Sequence, residues 1–352
     1  MKNPLNVLVL GVGGNVSQGI LKSLAISNLD CRVIGACTSH LAFGLYTVDT
    51  AYISPLANNP RFIDWLLDVC HKECVDVILS GVEPVLDILA QNSELIRANT
   101  GAIAVVSSPY QLGMSIDKLE TCRWLEKNGF NYPQYAAAED NNALKNLVLS
   151  CGFPLIAKPR RGKGAHGVIL VESERDLEYL SAKNDYVVQE YLGSTELEYT
   201  VGCFCDSSGR LKGSITMRRD LLEGTTVRAE VGDFPDIRHE ASRIAACLKP
   251  TGPCNIQMRV SNGKPVCFEI NLRFSGTTPI RAHLGFNEVE AALKHFVLSK
   301  ELDDFPLITE GTILRYWNEM YVDSQAAELL KRNGYLQSPG SYQIKIDDYG
   351  LR

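Results

Sequence analysis

The stretch Val266-Cys267-Phe268-Glu269-Ile270-Asn271-Leu272-Arg273 reads as a β-strand with two unlike faces. Period-two alternation puts Glu269, Asn271 and Arg273 on one side and Phe268 and Ile270 on the other. Just before it, Ser261-Asn262-Gly263 carries the Asn-Gly pair favoured in tight hairpins, so Pro253–Val260 is expected as its antiparallel partner. Gln257 then lies opposite the polar face. A carboxylate and an arginine held among Phe268, Ile270 and Phe274 are costly unless paired or metal-bound. Gln257, Glu269 and Asn271 together offer oxygen ligands to Mg²⁺, or to Mn²⁺ in its place. Mg²⁺ takes one or two protein carboxylates and leaves the rest of its shell to phosphates.

Working back along the chain, Pro154-Leu155-Ile156-Ala157-Lys158 is a short strand that ends in a lysine. The loop Arg160-Arg161-Gly162-Lys163-Gly164-Ala165-His166-Gly167 follows and leads into the next strand. Glycines such as Gly162, Gly164 and Gly167 let backbone N–H groups approach phosphate oxygens, and the flanking cations add charge. Because this loop joins two strands, it is expected to act as a hairpin flap; a plain basic surface hairpin fits the loop equally well when it is read alone. Downstream, the extended run Val187-Val188-Gln189-Glu190-Tyr191-Leu192 offers a backbone edge suited to adenine. Glu196 and Glu198 then fall on one face of a strand, where a carboxylate could meet two ribose hydroxyls.

The first hundred residues alternate strand and helix signals, which implies a parallel sheet covered by helices. The continuous apolar run Asn6–Leu10 is its first buried strand. Gly11-Val12-Gly13-Gly14 invites a dinucleotide-binding reading, but Val16 stands where the third glycine belongs, and no Gly-Lys-Ser/Thr ending makes it a phosphate loop. A tight strand-to-helix turn is the better reading. Four segments follow: 1–112 as a Rossmann-like domain, 113–186 as a small lid, 187–320 as a mostly antiparallel unit with the nucleotide site, and 321–352 as a peripheral extension.

The 352 residues carry 35 Lys and Arg against 41 Asp and Glu, a net charge of −6, so nucleic acid is not an expected partner. No apolar run reaches the roughly 20 residues needed to cross a bilayer, so no membrane partner is expected either. Eleven cysteines in a chain of this size, without an export-like start, read as reduced thiols in a cytoplasmic protein. A homodimer is the default expectation for assembly.

The order lysine, glycine flap, hinge glutamate, ribose glutamate, then Gln257…Glu269-Ile270-Asn271-Leu272-Arg273 resembles the ATP-grasp superfamily. Within it, the chain is similar to one ATP-binding half of the carbamoyl phosphate synthetase large subunit, in a single copy. The resemblance implies an α/β and α+β ATP-grasp fold behind an amino-terminal parallel-sheet domain. It implies that Lys118 and Lys158 grip the phosphates under Gly162, Gly164 and Gly167. Glu190 and Leu192 would hold adenine, Glu198 the ribose, and Gln257, Glu269 and Asn271 the metal. Arg273 would stabilise the transferring phosphoryl group or a substrate carboxylate, and with Lys158 it is the catalytic candidate. The implied activity is ligation of a small-molecule carboxylate to an amine or thiol through an acyl phosphate, with ATP and Mg²⁺. Arg218, Arg219 and Glu83 are the substrate-side candidates, with Glu223-Gly224-Thr225-Thr226 nearby. A kinase with a stable phosphorylated product and a non-catalytic nucleotide-binding protein are the two rival readings.

Overall fold

The computed structural model describes residues 4–347 except 163, 165, 182 and 194–197. The amino-terminal unit strings β1 (Leu5–Leu10), α1 (Asn15–Ala25), β2 (Cys31–Cys37), β3 (Thr50–Ile53), α2 (Phe62–Glu73), β4 (Val77–Ser80), α3 (Glu83–Gln91), α4 (Ser93–Thr100) and β5 (Ile103–Ala104). Strands β3-β2-β1-β4-β5 run parallel. Alternation explains why both faces are covered: Val7 and Val9 enter one apolar cluster, while Leu8 and Leu10 enter another. The glycine turn after β1 is a packing device, as Gly11 at φ 74° lies so close to Val82 that a Cβ would sit 2.3 Å from its Cγ2.

Helices α5 (Pro109–Ile116) and α6 (Lys118–Lys127) lead to the lid, a four-stranded antiparallel sheet in the order β6 (Tyr135–Ala137), β9 (Tyr186–Glu190), β7 (Leu155–Pro159), β8 (Ile169–Val171). Helices α7 (Asn141–Cys151) and α8 (Glu174–Ser181) complete it, and Leu144, Leu147, Leu177 and Leu180 fill its core.

The third unit is a six-stranded sheet ordered β14 (Lys264–Asn271), β13 (Gly252–Ser261), β10 (Glu198–Cys205), β11 (Leu211–Leu222), β12 (Thr225–Val231), β15 (Gly311–Leu314), all antiparallel. Helices α9 (Pro235–Leu248), α10 (Thr278–His283) and α11 (Glu288–Ala292) pack on it. The β13–β14 hairpin forms as the Asn-Gly signal requires, and Gln257 is the register partner of Glu269. Strand β12 was hidden in the sequence behind the Glu223-Gly224 turn, which is a two-residue hairpin turn with both residues at positive φ (48° and 74°).

The described part of the expected peripheral extension, residues 321–347, is not peripheral. After β16 (Glu319–Val322), helix α12 (Ser324–Asn333) buries Ala326 and Leu330 in the core, and β17 (Tyr335–Gln337) adds an antiparallel edge to β3. Strand β18 (Ile344–Asp347) then pairs with β16. The tail therefore closes the exposed edge of the amino-terminal sheet, which would otherwise be a free template for pairing.

Candidate functional site

One cleft of about 1210 Å³ lies between the three units. Most of the residues singled out from the sequence line it: Glu83, Lys118, Lys158, Gly162, Gly164, Glu190, Leu192, Glu198, Arg219, Gln257, Glu269, Asn271 and Arg273. Gly167 and Arg218 do not.

Lys118 is set by local capping. Asp117 caps α6 by accepting from the backbone of Leu119 at 3.0 Å, which leaves Lys118 as the first residue of the helix. The same carboxylate takes the Arg160 guanidinium at 2.6 Å, so the root of the flap is fixed to α6. Burial acts to raise the Asp117 pKa, but Arg160 and the helix-end N–H groups hold it below the usual carboxylate range. From there the Lys118 Nζ donates to the Gly162 carbonyl at 3.1 Å. Gly164, at φ 64°, sits against the β11–β12 turn so closely that a side chain on Gly224 would meet its Cα at 2.6 Å. The flap thus rests on the Glu223-Gly224 hairpin tip. Gly167 supports the flap from outside the cleft. At φ 74°, a Cβ there would press on Pro159 and the Tyr186 hydroxyl. Residues 163, 165 and 196, part of the same sequence reading, lie outside the described residues.

Lys158 is the penultimate residue of β7, with its Nζ 4.9 Å from the centre of the Phe268 ring. Burial lowers its pKa to about 8 against the pull of Glu269. Glu269 is the opposite case. Burial acts to raise its pKa, yet Lys118, the Asn271 amide, Lys158 and Arg273 outweigh that and hold it below the ordinary carboxylate range. The Asn271 Nδ2 donates to Glu269 Oε1 at 3.0 Å, which leaves Glu269 Oε2 and Asn271 Oδ1 without a side-chain donor among the described residues. A hard cation that keeps most of its shell for phosphate oxygens fits this pair.

Gln257 fits less well, because its Oε1 already accepts from Arg219 at 2.8 Å and so faces a guanidinium. Glu198 differs more from its expected ribose role. Its side chain is only 3% exposed, and both oxygens are taken: Arg219 donates to Oε1 at 2.9 Å and Arg259 to Oε2 at 2.8 Å. Its geometry is that of a buried anchor for two arginines. Arg218 points the other way on its strand and pairs at the surface with Glu230. The Arg218-Arg219 pair is split by strand alternation, and only Arg219 enters the cleft. Glu83 opens α3 and accepts from Arg273 at 2.9 Å, so it holds the arginine that the sequence placed near the reaction centre.

Gln189 was missed. Lys158 and Ile156 share a face of β7, and Gln189 is the register partner of Ile156, so Gln189 faces the cleft; Glu190 also lines it and accepts from the Gln134 backbone. Its Nε2 donates to the Cys122 sulfur at 3.0 Å, and its buried Oε1 has no partner among the described residues. A buried acceptor left open at a cleft wall points to a ligand donor. The phase of strand alternation relative to Lys158 was the signal that could have found it.

Residues 182–320 match the family model described as "ATP-grasp in the biosynthetic pathway with Ter operon", and residues 7–104 match the PylC-like N-terminal domain. The carbamoyl phosphate synthase large chain of Methanosarcina mazei is 22% identical over 305 residues, covering 78% of this chain and 28% of its own. That of Pseudothermotoga lettingae is 23% identical over 269 residues, covering 67% and 22%. The chain therefore spans less than a third of the length of these curated relatives. Among solved structures, N5-carboxyaminoimidazole synthetase from Staphylococcus aureus complexed with ADP superposes with a TM-score of 0.69 at 15% identity, over 95% of this chain and 86% of that one. The biotin carboxylase domain dimer of Hydrogenobacter thermophilus 2-oxoglutarate carboxylase, in complex with MgADP, ADP and bicarbonate, gives 0.65 at 13% identity, over 86% and 71%. At these identities the likeness is one of fold.

Proposed function

We propose that the chain, whose residues 182–320 match an ATP-grasp family model, joins a small-molecule carboxylate to an amine with ATP as the energy source. One observation carries the reading: Lys118, Lys158 and Arg273 surround an ionised, half-buried Glu269 beside Asn271, in a cleft whose wall includes Gly162, Gly164 and His166. Three cations around one carboxylate suit a ligand that brings both phosphates and a metal.

Adenine would lie between the lid and the sheet, with its amino group toward Gln189 Oε1 and the Glu190–Leu192 edge alongside. Glu269 and Asn271 would hold Mg²⁺, which when bound neutralises phosphate charge and orients the γ-phosphate for in-line attack. Lys158 and Lys118 would clamp the phosphate oxygens from the flap side. A substrate carboxylate oxygen then attacks the γ-phosphorus, and the bond to the β-phosphate oxygen breaks, releasing ADP and forming an acyl phosphate. Arg273, braced by Glu83, would stabilise charge on the transferring group. Next, the amine nitrogen attacks the acyl carbon, the carbon–oxygen bond to phosphate breaks, and the nitrogen gives up a proton. The flap excludes the water that would otherwise consume the acyl phosphate.

A homodimer and a cytoplasmic location complete the proposal. The eleven cysteines, all unpaired, support a reducing compartment. The deciding experiment incubates the protein with Mg-ATP and pooled carboxylates and amines, then measures ADP and orthophosphate. Orthophosphate release that needs both pools, with an amide detected by mass, is expected. ADP without orthophosphate would instead identify a kinase, and no turnover with any pool a nucleotide-binding protein.

A further inference from the structure

The wall of the cleft supplied by the amino-terminal sheet is formed by Gly14–Ser17, Gly81–Pro84 and Asp87. Only two of these residues are charged, Glu83 and Asp87, and they stand one helical turn apart on α3, facing the same space. Their circumstances differ. Glu83 is neutralised by Arg273 at 2.9 Å. Asp87 is half-buried and has no hydrogen bond or ion pair with any described residue.

Arg273 is paired with Glu83, and the other cations that line the cleft sit on other elements. Lys118 opens α6, Lys158 is on β7 and Arg161 is in the flap, while Arg219 and Arg259 are already committed to Glu198. On the wall supplied by the amino-terminal sheet, Asp87 is therefore the charged residue left without an ion pair among the described residues. A half-buried carboxylate with no counter-ion is poorly solvated, and a cationic ligand relieves that by a charge-assisted hydrogen bond.

We propose that Asp87 anchors the ammonium group of the amine co-substrate, making it a specificity-determining residue for the acceptor. This rests on the ligase reading above and sharpens it: the anchored ammonium passes one proton to the Asp87 carboxylate or to solvent, and the neutral amine so formed attacks the acyl carbon. Glu83 cannot share this role, because its charge is spent on Arg273.

The test follows orthophosphate release from Mg-ATP and a carboxylate pool, while the protein amino acids and short aliphatic diamines are varied as one pool and simple thiols as another. In Asp87→Asn the half-saturating concentration of the stimulating amine should rise roughly tenfold to a hundredfold, the weight of one hydrogen bond to a charged group. Asp87→Glu should recover much of that loss. Half-saturating Mg-ATP should be the same in all three proteins. Equal amine dependence in the wild type and Asp87→Asn overturns the assignment. So does a parallel rise in half-saturating ATP, or stimulation by thiols and by no amine. Calorimetry with Mg-ATP separates the two levels. If the wild type binds Mg-ATP but Asp87→Asn leaves its amine dependence unchanged, the anchor alone is refuted. A wild type that binds no Mg-ATP refutes the ligase reading and the anchor with it.

Discussion

Glu198 and Glu269 are the same side chain on the same sheet, two strands apart, and both face one cleft. Glu198 is enclosed by two guanidiniums that together occupy both of its oxygens. Glu269 is surrounded by Lys118, Lys158 and Arg273, yet its one side-chain donor among the described residues is the neutral amide of Asn271. A carboxylate saturated by fixed arginines is structural, since nothing remains for a ligand to take. One that stays ionised with an open oxygen still has an acceptor to offer a ligand. Residue type and strand phase do not separate the two cases; the partners do.

Replacing Glu269 with Gln breaks this contrast where the effect is largest. It keeps shape and the Asn271 contact but removes the charge, so turnover should fall by at least about a hundredfold, as expected when a metal ligand is lost. Steady-state ADP release measures this, and the thermal midpoint should move little. Glu198→Ala does the converse. It strands Arg219 and Arg259, whose side chains are 8% and 16% exposed, and should cost about 3–5 kcal/mol of stability in denaturant unfolding. A Glu198→Ala protein as stable as the parent would show that Glu198 is no anchor. Arg218→Ala supplies the baseline. Its pair with Glu230 is roughly half exposed on both sides, so stability should change by about 0–1 kcal/mol and turnover not at all.

What could be read from the sequence follows the range of the forces involved. Strand alternation around Lys158 and Glu269, the Asn-Gly hairpin and the β-α-β rhythm are local, and the structure keeps them. Partners distant in the chain were not visible: Glu198 meets Arg219 and Arg259 from strands 21 and 61 positions away. Gln189 stands beside Glu190 in the cleft wall, and its open side-chain acceptor shows only once Ile156 is placed opposite it. Strand β17 has three residues, too few to carry a pattern, and its role comes from the open edge of β3 that it covers.

In the proposed site, Lys158, whose pKa burial lowers, and an ionised Glu269 would receive a magnesium-bound triphosphate. Near pH 8, a lysine with a pKa of about 8 is half deprotonated in the free protein. Phosphate contact favours its charged form, so binding must draw a proton from the buffer, and affinity must weaken as pH rises past that value. Titration calorimetry with ATP, in two buffers of different ionisation enthalpy and with or without Mg²⁺, tests this directly. The account predicts magnesium-dependent binding with uptake of up to about one proton, and loss of that uptake in Lys158→Ala. Binding that ignores magnesium, or a proton uptake that persists in Lys158→Ala, would contradict it.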